Sequence, residues 1–498
     1  MAMKLERSAG VDKLVEIVLS ADTERWTERN ESAFDSFFGD PNGRYPKAAR
    51  KESALRAPAI PVHEGTRFAA YIHPSNATSG AYGGLSFVIF PATDAPCLVA
   101  LVVGTQGLSP DQQILGRPGH ARKSRAICEW LNALAKRQVA WYKHDPTRTD
   151  IAVPATVQQG WPEYKRVFDR YGGVVYACFR PPTEEPTLAY KGIVALLDLY
   201  MSERGFDPLN RFMGESTDIR QEWLAQVTPS VNREAVVSLL QSRRFGILQG
   251  PPGTGKTRMA LEILDRDYAG RGFTIQCHAS TTYEDIIGGL APVHSGSALG
   301  LQFAPRRGAL MEAATLARDS SDKYLLVLDE INRTDLAKVL GEGLFLLEPH
   351  EGSRTIRLPY DFGEPWFSTF SLPENLHILG TMNSADRSIG IVDIAVRRRF
   401  AFVSLWPSID VVRENACETM QSAFRRLLQI FLEYATDEAF SMMPGHSYFL
   451  EKDESKAKTR LATELAPLLN EYLAQGYVSG FAEEIRAYLQ WLQDPAGS

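Results

Sequence analysis

The spacing of apolar positions changes twice along this chain and divides it into three stretches. In residues 1–208, short apolar runs alternate irregularly with helical patterns. GLSFVIFPA, CLVALVVGT and VVYACFRP read as strands, the first two adjacent. Lys123 to Gln138 and Glu185 to Arg204 place their apolar residues at helical spacing. An α+β domain is expected here. Residues 209–405 repeat a strand–loop–helix order through FGILQG, FTIQCHAS, YLLVLDE and LHILGTMN, which predicts an α/β domain with an open, largely parallel sheet. In residues 406–498 the strands stop and helical periodicity takes over, as in FRRLLQIFLEYA and ATELAPLLNEYLAQ, so a small helical domain follows. There is no tandem repeat and no low-complexity tail.

Composition narrows the class without naming it. The 498 residues are 44% apolar and 23% charged, with 54 basic and 60 acidic side chains, a net charge of −6. That excludes a binder whose whole surface is basic and leaves room for a local basic patch. Cys97, Cys128, Cys178, Cys277 and Cys417 are far apart, with no CxxC pair, so spacing supports neither a disulfide framework nor a zinc site and suits a reducing compartment. The start, MAMKLERSAGVDK, lacks the apolar stretch of a secretory signal. The most apolar segment, Ser86 to Thr105, is broken by Pro91, Asp94 and Pro96 and reads as two strands rather than a membrane span. A cytoplasmic protein with no membrane partner is expected.

Candidate chemistry concentrates in the middle stretch. Gly250-Pro251-Pro252-Gly253-Thr254-Gly255-Lys256-Thr257 follows the strand FGILQG and precedes the helical TRMALEILDRD, the context that a phosphate-cradling loop requires. Its glycines let backbone N–H groups curl around a phosphate, and the helix N-terminus adds positive potential. Lys256 is expected to reach the β and γ phosphates, and the Thr257 hydroxyl to bind Mg²⁺. About seventy residues on, Tyr324-Leu-Leu-Val-Leu-Asp329-Glu330 ends an apolar strand in two carboxylates. Asp329 suits holding Mg²⁺ through water and Glu330 suits polarising an attacking water, a pair that favours hydrolysis over mere nucleotide holding. A third strand ends in Gly380-Thr-Met-Asn383-Ser-Ala-Asp386-Arg387-Ser388, where Asn383 is placed to contact both the γ-phosphate and that water. Arg397-Arg398-Arg399 precede an apolar strand. They suit either a solvated surface cluster or a role reaching into a neighbouring subunit's nucleotide site, as an arginine finger does.

Together these blocks make the stretch from about 235 to 450 resemble the AAA+ domain of McrB, the NTP-driven motor of modification-dependent restriction systems. Asp329-Glu-Ile-Asn332-Arg333-Thr-Asp335 resembles the family's extended Walker B element, which runs on through Gly341-Glu342 and Leu346-Leu347-Glu348 to Arg357-Leu-Pro-Tyr360. Met382-Asn383, two further residues and Asp386-Arg387 are similar to the family signature, and His278-x-Ser280-x-x-Tyr283-Glu284-Asp285 and Gly445-His446-Ser447-Tyr448-Phe449 match two more blocks. Cys277 departs from the family's aromatic, and Phe303 to Gly308 matches loosely. The resemblance implies an AAA+ P-loop NTPase core with a C-terminal helical lid, preceded by the α+β recognition domain. It implies ATP or GTP as substrate, Mg²⁺, a hexameric ring with Arg398 or Arg399 acting in trans, and Asn383, Asp386 and Arg387 in the sensing and water-positioning network. It also implies a separate McrC-type nuclease partner in an anti-phage restriction system. A MoxR-like ATPase remodelling a protein client, and a ring gated by a ligand sensed in the N-terminal region, are the alternatives.

The N-terminal stretch offers candidate DNA contacts in Arg117, His120, Arg122, Lys123 and Arg125, followed by Trp130, Trp141 and Tyr142 for base stacking. A solvated helix end and ordinary core packing are the competing readings. Lys47, Arg50, Lys51 and Arg56 form a second basic cluster. Glu163-Tyr-Lys165, after Asp145 and Asp150, resembles a nuclease triplet only by spacing and lies in a helical pattern, so no nuclease site is expected in this chain. His63, His73 and His144 lack metal-ligand spacing.

Overall fold

A computed structural model describes residues 8–20, 22–39, 42–59, 66–77, 79–294, 301–348, 354–385 and 393–493. Their contacts form two compact units, Met1–Thr228 with Leu432–Thr436, and Pro229–Phe431 with Asp437–Ser498. The first unit thus runs past the boundary expected at 208. The physical reason is the helix Asn210–Leu224, whose Ile219 and Trp223 are buried in the first unit's core.

That unit is built on an antiparallel sheet of β1 (Ala54–Arg56), β2 (Ala69–Ile72), β3 (Leu85–Ala92), β4 (Ala95–Val103), β5 (Ala140–Tyr142) and β6 (Val175–Phe179), in the order β1-β2-β3-β4-β6-β5. β3 and β4 read as unbroken apolar runs because both sheet faces are buried. Phe87, Ile89, Val99 and Leu101 enter one core with residues of the helices Ala9–Leu19, Pro118–Ala135 and Pro186–Ser202. Val88, Phe90, Leu98 and Ala100 enter the other with Val157, Trp161, Tyr164 and Phe168, from the short helical turns at 155–171.

The second unit holds β7 (Phe245–Gly250), β8 (Gly272–Gln276), the hairpin β9 (Gly288–His294) and β10 (Leu301–Arg307), β11 (Tyr324–Asp329), the hairpin β12 (Thr355–Arg357) and β13 (Thr369–Ser371), β14 (Leu376–Asn383) and β15 (Ala401–Ser404). Five of them form a parallel sheet, β15-β7-β14-β11-β8. Alternation is again hidden by double burial: Leu326 and Leu328 of β11 face one core, Leu325 and Val327 the other. Beyond β15 the chain is helical, through Ile409–Asn415, Glu418–Tyr434, Glu454–Arg460, Ala466–Ala474 and Ala482–Gln493. No helix among the described residues is long and apolar enough to cross a membrane.

Candidate active site

Open parallel sheets gather ligands at the C-terminal ends of their strands, and here the strand register decides which side chains meet. β7 pairs with β14 so that Gly250 lies opposite Asn383, and β11 pairs with β14 so that Leu328 lies opposite Gly380. Asp329 and Thr381, each one residue further along its strand, are thereby brought side by side. The Thr381 hydroxyl donates to Asp329 Oδ1 at 2.6 Å, and the Thr257 hydroxyl, from the first turn of the helix Lys256–Arg266, donates to the same oxygen at 2.7 Å. Thr381 Oγ1 also accepts the Glu330 N–H at 3.0 Å. One buried threonine therefore orients both carboxylate residues.

Glu330 has φ 55° and ψ 44°, a left-handed conformation costly for a side-chain-bearing residue, which turns the chain sharply out of β11. Its carboxylate accepts from Arg333 Nε at 3.2 Å. Asn332, buried, donates to the Asn383 carbonyl at 3.1 Å and accepts the Asn383 N–H at 3.3 Å, tying the turn after β11 to the end of β14. Asn383 Oδ1 accepts from the Ala385 N–H at 3.2 Å. Asp386, Arg387 and Ser388 lie outside the described residues, as does His63.

The phosphate loop uses glycine where conformation and space demand it. Gly253 and Gly255 have φ of 80° and 81°, and a Cβ on Gly253 would meet Ser447 Oγ at 2.4 Å. That contact comes from the Gly445–Phe449 block, whose Gly445 N–H donates to the Pro252 carbonyl at 2.8 Å and whose Ser447 N–H donates to the Gly253 carbonyl at 3.0 Å. A Cβ on Gly445 would lie 2.1 Å from the Gly253 carbonyl carbon. His446 Nδ1 accepts from the Ser408 N–H at 3.3 Å, and burial pushes its imidazole pKa down. Lys256, buried, donates to the Gly250 and Pro251 carbonyls at 2.9 and 2.7 Å. Burial lowers its ammonium to about 8, against the opposing pull of Glu330 and Asp329.

This arrangement fits a nucleoside triphosphate with Mg²⁺. The Thr257 hydroxyl and the Asp329 carboxylate would hold the ion, a sparse hard-oxygen set of the kind that leaves positions for phosphate oxygens and water. When bound, the ion neutralises charge on the transferring phosphoryl. Lys256 brings a cation to the loop, and Glu330 presents a carboxylate beyond Asp329 where it can accept a proton from water.

The other expected residues are placed as follows. Arg398 is mostly exposed, with Glu348 Oε2 at 3.9 Å. Arg399 is half-buried and donates to the Ala395 carbonyl at 2.9 Å, and the Arg397 guanidinium lies 5.2 Å from the centre of the Phe402 ring. In the first unit, the candidate DNA contacts turn inward. His120, Arg122 and Lys123 are buried on the helix Pro118–Ala135. Arg122 donates to the Leu432 and Ala435 carbonyls at 2.8 and 2.6 Å, and Lys123 pairs with Glu203 and Glu433 at 2.6 and 2.8 Å. Arg117 pairs with Glu203 at 2.5 Å. Burial acts to raise the Glu203 pKa, but His120 and Lys123 outweigh it and hold the carboxyl well below its usual range. A tract whose charges are answered inside the protein is no phosphate grip, so that expectation is corrected for His120, Arg122 and Lys123. Arg125 is half-buried and lines a cavity of about 300 Å³ with Tyr142 and His144. Trp130 is a core residue, and Tyr142 donates to Glu129 at 2.7 Å. Glu163 pairs with Arg180 and Lys165 with Asp169.

Three participants were not singled out from the sequence: Thr381, Asn332 and the Gly445–Tyr448 segment. Thr381 lay inside the quoted Gly380-to-Ser388 block, a hydroxyl from which no role was read. Asn332 and the Gly445 block lay inside quoted motifs without a role, because only folding shows what they touch.

The AAA domain (dynein-related subfamily) family matches residues 246–400. The chain is 32% identical over 267 residues to the type IV methyl-directed restriction enzyme EcoKMcrB subunit of Escherichia coli K12, covering 49% of this chain and 57% of that one. It is 25% identical over 195 residues to the type II restriction enzyme BsuMI component YdiS of Bacillus subtilis 168, covering 32% and 56%. The uncharacterized protein YehL of Escherichia coli K12 matches at 32% over 203 residues, 41% of this chain and 51% of that one. The chain thus spans little more than half the length of these curated relatives. Residues 246–400 therefore carry an AAA domain, and the sequence around them is similar to that of an McrB subunit.

Proposed function

We propose that this chain is the motor subunit of a restriction system: it assembles into a ring, hydrolyses ATP or GTP with Mg²⁺, and drives a separate McrC-type nuclease. The observation that carries the reading is the Asp329–Thr381–Thr257 cluster with Glu330 beside it, set in a sequence 32% identical to a restriction-enzyme subunit. Hydrolysis needs a carboxylate for the ion and a second for water, and both stand at the mouth of the phosphate loop. The test is steady-state phosphate release with ATP and with GTP. Glu330→Gln is expected to keep nucleotide binding and lose about a hundredfold or more in turnover. Wild-type turnover by that variant would remove Glu330 from catalysis. Adding the nuclease subunit should then give DNA cleavage that requires a hydrolysable nucleotide.

A second reading concerns what the first unit reports to the ring. Residues 1–228 hold 27 basic and 26 acidic side chains, close to neutrality, and part of the expected basic tract is buried and paired. Polyanion binding draws most of its affinity from phosphate contacts. This favours a first unit that senses a ligand and gates hydrolysis over one that grips DNA through that tract.

A further inference from the structure

One cavity in the first unit belongs to nothing described above. The short helix Lys165–Tyr171 lies on the sheet face that carries Val88, Phe90 and Val102, and beside its last residue a cavity of about 820 Å³ opens. That is within the ordinary range for small-molecule sites, roughly 300–1,000 Å³. Phe68, Phe90 and Tyr171 are among its walls, with the Phe90 and Tyr171 ring centres 5.4 Å apart and Phe68 set edge-on to Tyr171 at 6.4 Å.

Charge enters through Arg56, the last residue of β1. Its guanidinium lies 5.3 Å from the centre of the Tyr82 ring, which also lines the cavity. Among the described residues no carboxylate pairs with Arg56, and its Nη1, shielded from solvent, has no hydrogen-bond partner. Arg56 as a whole is half-buried on the cavity wall, so an anion entering the cavity would meet a positive charge that no described carboxylate answers. Among the described residues of the lining, the other charged ones, Arg170 and Glu31, are both exposed and of opposite sign, so Arg56 supplies the surplus charge there.

We propose that this cavity is a ligand site for a diffusible planar aromatic anion, its ring among Phe68, Phe90 and Tyr171 and its carboxylate on Arg56. As the input of a sensor the site rests on the second reading above, whereas binding stands apart from it. A ligand that binds without altering nucleotide turnover would defeat the sensor and leave the site.

The test is calorimetric titration of the full chain with naphthalene carboxylate and with its neutral analogue, naphthalene methanol. One saturable site per chain is expected. Arg56→Met should weaken the carboxylate about tenfold or more and the alcohol less than about threefold. Val174→Phe, which puts a ring into the cavity, should weaken both, and keeps the test open if Arg56→Met does not fold. Absence of saturable binding, or equal effects of Arg56→Met on the two probes, would overturn the proposal. Displacement of the carboxylate by a single-stranded oligonucleotide but not by nucleoside monophosphates would also overturn it, assigning the cavity to a base within a strand.

Discussion

At the scale of single residues, the site depends on side chains that serve two neighbours at once. Thr381 donates to Asp329 and accepts from the Glu330 N–H, so its hydroxyl holds both proposed catalytic positions. Thr381→Val keeps the shape and removes both bonds. Leaving a buried N–H unmet costs about 1–3 kcal/mol, and turnover is expected to fall about tenfold while nucleotide affinity changes less. Phosphate-release kinetics separate the two effects. Lys256 makes a pH prediction. Burial lowers its ammonium to about 8 in the unliganded chain, so the charge that attracts phosphate is present below that pH and lost above it. Nucleotide affinity should therefore decline as pH rises through about 8, whereas Lys256→Ala should bind weakly with no such decline. Equilibrium titration with a fluorescent nucleotide checks both.

At the scale of elements, blocks far apart in sequence explain one another. Tyr283, from one motif, donates to Glu342 of another at 2.8 Å, and a Cβ on Gly341 would meet the Tyr283 ring at 3.0 Å. Buried polar pairs within the sheet domain also set its pH response. His377 on β14 is buried against Tyr268, with the phenol and the imidazole hydrogen-bonded, and burial, helped by Lys323 and Arg244, lowers its pKa to about 4. An unfolded chain takes up that proton near 6.5. The folded state thus keeps this stability in full above about pH 6.5 and loses it as pH falls towards 4, because only the unfolded form is protonated in that window. His377→Gln should lose less melting temperature between neutral pH and pH 4.5, by about 5 °C. Melting curves across that range, for the variant and the parent, measure the difference.

For the whole molecule, the central expectation is a site shared between subunits. Arg398 is mostly exposed, 3.9 Å from Glu348, and is available to reach a neighbour. If it acts in trans, Arg398→Ala and Glu330→Gln chains should each be nearly inactive alone. Mixed, they should regain a measurable fraction of turnover, since an Arg398→Ala subunit keeps its own Glu330 and receives an arginine from its partner. No recovery in rings that demonstrably mix would place Arg398 outside the neighbouring site.

Whatever is local or strictly periodic could be read without the fold. The phosphate loop between FGILQG and the following helix, the strand ending at Asp329-Glu330 and the one ending at Asn383 were legible because a strand's polar terminus and a glycine-rich turn are short-range patterns. The α+β, α/β and helical textures followed from the same periodicity. The rest came from packing between segments remote in sequence. Register put Thr381 beside Asp329, a relation between separate strands that no single-strand pattern carries. The last residues of the first unit joined its core through Ile219 and Trp223, although their helix began after the expected boundary. A run of arginine, lysine and histidine that reads as a surface patch is mostly buried, because Glu203 and Glu433, remote in sequence, meet it there. Arg56, one basic residue among many in the sequence, stands out only where folding sets it at an aromatic cavity with no carboxylate to answer it among the described residues. Charge and aromaticity are written residue by residue, but whether a group faces water, a partner or a void is settled by the long-range packing around it.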